Sequence, residues 1–274
     1  MNQNTDYKHI PTDLLGVAAE RNPMANLDPM LCGYQILFDK FNIPKTGVVH
    51  LGGHIGQELP MYAALGFQNV VMVEPLEEEY QILEDRISKY NQVFENVGNF
   101  LGEKSLMKAH AVRCAVSDTT GTISFYKTGV TSLSSMSKPI AQGFSTMWDS
   151  FGAYMPWYQR LIYRVKRRRA VSYQEVVVPC KTLDQVIAEL PNSWKANDFS
   201  YLRMNVQGAE LKALKGADKF LQSVSVVDLE TNIESRYEDN PTRQEFDSFL
   251  DTYGFVAAFS YSLGPMGNII YVKK

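Results

Sequence analysis

Val48 to Gln57 reads VVHLGGHIGQ, a short apolar run that enters a glycine-rich turn and then an amphipathic segment. Glycines at 52, 53 and 56 allow close backbone approach to a ligand, and a helix opening there would offer free N–H groups to polar or anionic atoms. A second apolar run, Val70 to Val73, ends in Glu74 and Pro75. An acidic residue about 20 positions after such glycines, at the tip of the next strand, is where a Rossmann-like sheet takes a ribose by its hydroxyls. Glu74 therefore reads as a ribose clamp, with Gly52, Gly53, Gly56 and Gln57 around it. Glycine turns also close strand-to-helix corners that bind nothing, so the pairing with Glu74 carries the reading. The corner alone leaves dinucleotides and other adenosine cofactors open.

The rest of the chain supplies the ladder around that corner. The helix predicted over Leu59 to Leu65 stops at Gly66, and a charged helix from Glu77 to about Tyr90 places Tyr80, Leu83 and Ile87 on one face. A third strand is predicted over His110 to Val116, a hairpin-like segment over Thr122 to Tyr126, and a Ser/Thr-rich loop over 128–137. Further strands are expected at Val176 to Val178, at Tyr201 to Val206, and at Val224 to Leu229 ending on Glu230. Helices are expected at Leu183 to Leu190, Gly208 to Leu221 (split by Gly216) and Thr242 to Tyr253. The last two strands, Phe255 to Phe259 and Ile269 to Val272, are separated by a linker too short for a helical crossover, so they should pair antiparallel. That hairpin favours the S-adenosylmethionine-binding form of the architecture over dehydrogenases. No phosphate loop of the nucleoside triphosphate type is present.

Composition narrows the function classes. The 274 residues are 45% hydrophobic with a formal net charge of −3, enough for one large α/β domain and without global attraction to nucleic acid or an anionic membrane. Cys32, Cys114 and Cys180 lie far apart without ligand spacing, which predicts neither a disulfide framework nor a metal site and fits a reducing, cytoplasmic home. No run approaches the roughly 18 apolar residues of a membrane span, and no secretion signal is visible.

Three segments together resemble the FkbM family of S-adenosylmethionine-dependent methyltransferases. They are HLGGHIGQEL with VVMVEP, AVSDTTGTISFY with TSLSS, and YLRMNVQGAELKALKGADKFL followed by VVDLE. The resemblance covers about residues 46–137 and 176–274. It implies a Rossmann-like class I methyltransferase fold: α/β, with a mostly parallel seven-stranded sheet and an antiparallel final strand. It also implies transfer of a methyl group to a hydroxyl, or a carboxyl, of a small natural product, a saccharide or a peptide-like acceptor. Outside it lie an N-terminal helical cap, residues 1–46, and an aromatic-basic insertion at about 139–173 within the methyltransferase domain of 47–274. The chain departs from the family at His50 and Asn205, where Asp is usual, and retains Gly52, Gly56, Glu74, Gln207, Gly208 and Glu210.

Methyl transfer is an in-line displacement at carbon, so the acceptor oxygen must be held near the methyl and its proton accepted. His54, Asn205 and Glu230 are the catalytic candidates: His54 as a base or a loop-orienting residue, Asn205 as an amide facing the methionine part of the donor or the acceptor hydroxyl, Glu230 as a base or orienter. Ala115, Val116 and Asp118 are expected around adenine, though Asp118 in SDTTG also suits a turn. His50 reads as a core histidine and Glu210 as a helix-start carboxylate. The insertion, with five basic residues among the six from Arg164 to Arg169, reads first as a lid or interface. Its rivals are a membrane-surface helix and a phosphate-binding patch that would make the chain a nucleic-acid methyltransferase. Asn205-Val206-Gln207-Gly208 lacks the Asn/Asp-Pro-Pro-aromatic motif of base aminomethylation, which makes nucleic acid the weaker partner. A non-catalytic scaffold is the third reading, motivated by His50 and Asn205.

Overall fold

The computed structural model describes residues 27–102, 106–141, 172–191, 193–232, 236–263 and 266–274. Residues 1–26 of the expected cap, most of the insertion and its basic run lie outside them. Within the expected cap lies α1, Leu27–Lys40, whose Tyr34 and Phe38 pack into the core.

Seven strands form the main sheet: β1 (Gly47–Leu51), β2 (Asn69–Val73), β3 (Lys108–Val112), β7 (Tyr201–Met204), β8 (Val226–Asn232), β9 (Phe255–Leu263) and β10 (Met266–Lys273). Their spatial order is β3-β2-β1-β7-β8-β10-β9. All pairs are parallel except those of β10, which runs antiparallel to both β8 and β9. The expected mostly parallel sheet with an antiparallel final strand is therefore present, with that strand inserted between β8 and β9. The strands are apolar on both faces because helices cover both. Val49, Leu51, Leu202 and Leu229 face one core with Ala213 and Phe246, while Val48, Tyr201 and Val226 face the other with Phe38, Tyr62 and Leu83.

Strand three does not run to Val116. The last ladder bond on that side is Glu74 N–H to the Val112 carbonyl, since β2 ends there and Pro75 has no N–H to give. Beyond Val112 the backbone must find another partner, and Ala115–Val116 (β4) takes it in a second sheet of three strands, β4-β6-β5. There β5 (Gly121–Thr128) pairs antiparallel with β6 (Tyr173–Lys181) from Gly121↔Cys180 to Thr128↔Tyr173. The expected segments at 122–126 and 176–178 are the centres of these longer strands.

The helices differ mainly at their ends. After β1 the chain makes a turn-rich loop, and α2 (Leu59–Leu65) begins only past Glu58. Its C-cap Gly66 has φ +83°, and the Gly66 N–H bonds back to the Ala63 carbonyl, the expected stop. Helix α3 (Glu77–Leu101) runs well past Tyr90 to Gly102. Thr182 caps α4 (Leu183–Ala188) by accepting from Gln185 N–H. Gly216 splits the next helix into α5 (Glu210–Lys215) and α6 (Asp218–Ser223), as expected; a Cβ there would meet the Ser117 carbonyl at 2.1 Å. Thr242 and Glu245 form a capping box on α7 (Arg243–Asp251). Strand β7 stops at Met204, leaving Asn205 just beyond it, whereas β8 continues through Glu230 to Asn232, so Glu230 does not terminate its strand.

Candidate functional site

The sheet reverses its order between β1 and β7, and the carboxyl ends of strands at such a switch point frame the ligand crevice of open α/β sheets. A cleft of about 270 Å3 lies there. Its walls combine Leu51, Gly52, His54, Gln57 and Glu58 with Val73, Glu74 and Pro75 from the end of β2. Cys114, Ala115 and Val116, Phe125, the Thr131, Ser132, Ser134 and Met136 loop, and Asn205 and Val206 complete them. Thus Gly52, His54, Gln57, Glu74, Pro75, Ala115, Val116 and Asn205 meet in one place. Gly53, Gly56, Asp118 and Glu230 are not among its described lining residues. The exposed Asp118 accepts a hydrogen bond from Ser117 Oγ at 3.0 Å, in keeping with the turn reading.

The glycine loop is organised by the protein itself. Gly52 and Gly53 N–H both donate to the Val73 carbonyl, at 3.0 and 2.9 Å, Gly56 N–H donates to Gly53, and His54 N–H donates to Glu74 Oε2 at 3.0 Å. These amides are therefore not free for a ligand, contrary to expectation. A Cβ at Gly52 would sit 2.0 Å from the Asn205 carbonyl, and Cβ atoms at Gly53 and Gly56 would press on Met72 and Leu83 at 2.9 Å. The glycines bring the ends of β1 and β7 together and let the loop pack on α3.

Glu74 stands at the end of β2, only 5% exposed. Leu76 N–H donates to its Oε1 at 3.0 Å and His54 N–H to its Oε2, which fixes the carboxyl while leaving lone pairs on both oxygens. Burial pushes its pKa up to about 7, against the pull of those two backbone bonds.

His54 adopts φ +45° in the left-handed region. Its Nδ1 lies 3.3 Å from Gln57 Oε1 and its Nε2 2.8 Å from Thr131 Oγ1. The ring thus has a polar partner at each nitrogen, the Gln57 side chain on one side and the Thr131 hydroxyl on the other. This contact ties the glycine loop to the Ser/Thr-rich loop across the cleft. Thr131, Ser132 and Ser134 belong to the TSLSS segment of the resemblance, but neither they nor Met136 were singled out as site residues, because nothing local says which sheet edge a polar loop will cover.

On the β7 side, Gln207 stands behind the lining residue Asn205. It is 5% exposed with φ +56°. Its Nε2 donates to Asn205 Oδ1 and, at 3.1 Å, to Glu230 Oε1. Glu230 joins the site through Gln207; burial raises its pKa, opposed by the nearby Arg236 charge. Glu210 receives Val206 N–H at 3.1 Å and Gly208 N–H at 2.9 Å, so it holds the loop after β7, and burial pushes its pKa to about 7.

His50 sits on the opposite face of the sheet, in the core. Its Nδ1 is 3.0 Å from the Tyr62 hydroxyl, and burial, then the Arg203 charge, hold its pKa well below the usual imidazole range. Beside it, Asp228 Oδ2 accepts from Arg203 (2.8 Å), Tyr201 (2.6 Å) and Tyr34 of α1 (2.8 Å).

The cleft suits an adenosyl sulfonium compound. It offers an apolar slot between Pro75, Ala115, Val116 and Phe125, a buried carboxyl beside it and an amide at Asn205 beyond Gly52. Among the described residues, no group of three or more His, Cys, Asp or Glu side chains is placed to hold a metal, and no helix is long and apolar enough to cross a membrane.

The model of the methyltransferase FkbM domain matches residues 50–257. Among solved structures, the chain is similar to an FkbM methyltransferase from Methylobacillus flagellatus KT at 12% identity and TM-score 0.45, covering 95% of this chain and 57% of that one. It is also similar to magnesium protoporphyrin IX methyltransferase from Synechocystis PCC 6803, solved with bound S-adenosylmethionine, at 8% identity and TM-score 0.41, covering 90% and 78%. A ribosomal protein L11 methylase from Lactobacillus delbrueckii subsp. bulgaricus matches at 10% identity and TM-score 0.39, covering 91% and 79%. The chain thus spans little more than half of the FkbM structure it matches, and comparison with curated proteins finds no match. The match over residues 50–257 settles membership: the chain belongs to the FkbM family of S-adenosylmethionine-dependent methyltransferases.

Proposed function

We propose that the chain is an O-methyltransferase that acts on a hydroxyl of a small natural product, a saccharide or a peptide-like acceptor. The observation that carries this reading is the His54 ring lining the cleft, held between Gln57 Oε1 at its Nδ1 and the Thr131 hydroxyl at its Nε2. An alcohol ionises far above neutral pH, so a positioned base is what O-transfer needs and what transfer to a softer nucleophile would not. Glu74 takes the ribose hydroxyls, the slot at Pro75, Ala115 and Val116 takes adenine, and Asn205 faces the methionine end.

The cofactor, when bound, supplies an electrophilic methyl carbon on a positively charged sulfur. Glu74, Pro75, Ala115, Val116 and Asn205 would hold it, the methyl it would supply to the acceptor oxygen would leave S-adenosylhomocysteine behind, and His54 Nε2 would take the hydroxyl proton, directly or through Thr131. Holding the oxygen in line supplies most of the rate, and the base assists as charge develops. The buried free thiols of Cys114 and Cys180 support a reducing, cytoplasmic setting.

Calorimetry with S-adenosylmethionine and S-adenosylhomocysteine on the purified chain tests the donor site, with micromolar binding expected. A host extract supplied with enzyme and isotopically labelled donor then reveals the acceptor as the compound that gains a labelled methyl. Label found on nitrogen or carbon would overturn O-transfer, and a His54→Ala variant with undiminished turnover would remove the base.

A further inference from the structure

The loop after β7 makes a chain of side-chain amides whose direction is set by chemistry, and it runs from the buried interior to the cleft. Gln207 is its centre. The residue is held in the left-handed region at φ +56°, with its backbone carbonyl receiving Ser135 Oγ at 2.7 Å. Its side-chain carbonyl faces the Tyr237 hydroxyl at 3.1 Å, and that hydroxyl also reaches the Leu133 carbonyl at 2.9 Å. The other end, Nε2, faces both Glu230 and Asn205. A carboxylate only accepts, so the end of Gln207 that meets Glu230 must be the NH2 group. Its second hydrogen then points at Asn205 and requires Asn205 Oδ1 there. With Oδ1 committed, the remaining polar end of Asn205, its NH2 group, is the one left for whatever enters the cleft that Asn205 lines.

We propose that Gln207 is a positioning residue that sets the polarity of the site: it makes Asn205 a hydrogen-bond donor toward the amino-acid end of the methyl donor, where it binds the carboxylate rather than the ammonium group. The inference rests on the donor-site reading above, in which adenosine lies between Glu74 and Val116 and the methionine end extends past Gly52 to Asn205. It adds a direction that no single residue in the cleft reveals, because the polarity of Asn205 is inherited from Glu230 through Gln207.

Two ligands separate this role from a structural one. S-Adenosylhomocysteine carries the amino-acid carboxylate, and 5′-methylthioadenosine shares its adenosine part but lacks that group. Their affinities are measured by calorimetry on the full chain and on two variants whose melting temperatures are checked. In Gln207→Met no donor faces Asn205 Oδ1, so nothing holds the Asn205 amide with its NH2 toward the cleft. S-Adenosylhomocysteine should bind about tenfold more weakly while 5′-methylthioadenosine is unchanged. Asn205→Asp alters no backbone geometry and accepts from Gln207 as Asn205 does, but shows the ligand a carboxylate. It should produce the same selective loss. Tighter S-adenosylhomocysteine binding by Asn205→Asp would mean that the ammonium group faces this residue, and the proposal falls. It falls equally if both ligands weaken together or if neither changes. Failure of the unaltered chain to bind either ligand would instead overturn the donor site itself.

Discussion

At the scale of single residues, the site depends on a carboxyl whose charge state is adjustable. Glu74, with a pKa of about 7, is half protonated near neutral pH, and ribose hydroxyls donate well only to the carboxylate. Affinity for S-adenosylhomocysteine should therefore be full above pH 7 and decline below it, being roughly tenfold weaker at pH 6 than at pH 8. The stability of the free protein has the opposite sign. A carboxyl whose folded pKa is raised from 4.5 to about 7 keeps its proton after the unfolded chain has lost it, so stability decreases as pH rises between those values. Glu210 contributes to the same window. Glu74→Gln should remove the pH step in affinity and weaken binding by roughly 1–3 kcal/mol; calorimetry from pH 6 to pH 8 reads both, and an affinity insensitive to pH would remove Glu74 from the ribose. That Glu74 lines the cleft was legible from its place at a strand tip after a glycine turn. Its raised pKa was not, because it comes from burial by residues far away in sequence.

At the scale of elements, glycines that look alike in sequence do different work. Gly66 and Gly52 both have strongly positive φ, +83° and +84°, but a Cβ at Gly66 meets nothing within 4 Å, whereas one at Gly52 would lie 2.0 Å from the Asn205 carbonyl. Gly66→Ala should cost about 1 kcal/mol, the strain of the left-handed conformation alone. Gly52→Ala must also push β1 and β7 apart and should cost about 4 kcal/mol or more, with loss of donor binding. Thermal melts of the two variants compare them directly, and equal destabilisation would contradict the packing account. The same loop shows where a motif reading was too generous. Its amides at 52, 53, 54 and 56 are spent on Val73, Glu74 and Gly53 and are not offered to a ligand. A glycine pattern announces a tight corner, and only the hydrogen bonds say whether the corner faces a ligand.

Across the whole molecule, the second face of the sheet is organised around a buried charge. Asp228 is fully buried and takes hydrogen bonds from Arg203, Tyr201, Tyr34 and, through Oδ1, Asn268 at 3.1 Å, joining α1 to β7, β8 and β10. Asp228→Ala would leave the Arg203 guanidinium buried without its partner, at a cost of about 3–5 kcal/mol. Lys89→Ala, which breaks only the exposed pair with Asp85, should stay within about 0.5 kcal/mol. Chemical denaturation distinguishes them, and an Asp228→Ala protein of unaltered midpoint would show that the cluster contributes nothing. By itself the amino-acid sequence determined the elements, the parallel order around the glycine corner and the antiparallel end, because hydrophobic period, helix stops and linker length are local properties. Only the tertiary structure decided that strand three breaks at Val112 and feeds a second sheet, that the Ser/Thr loop closes over the cleft onto His54, and that Gln207 orients Asn205. Each depends on which backbone groups are left without partners once the sheet has formed, and that is settled by contacts between segments dozens of residues apart.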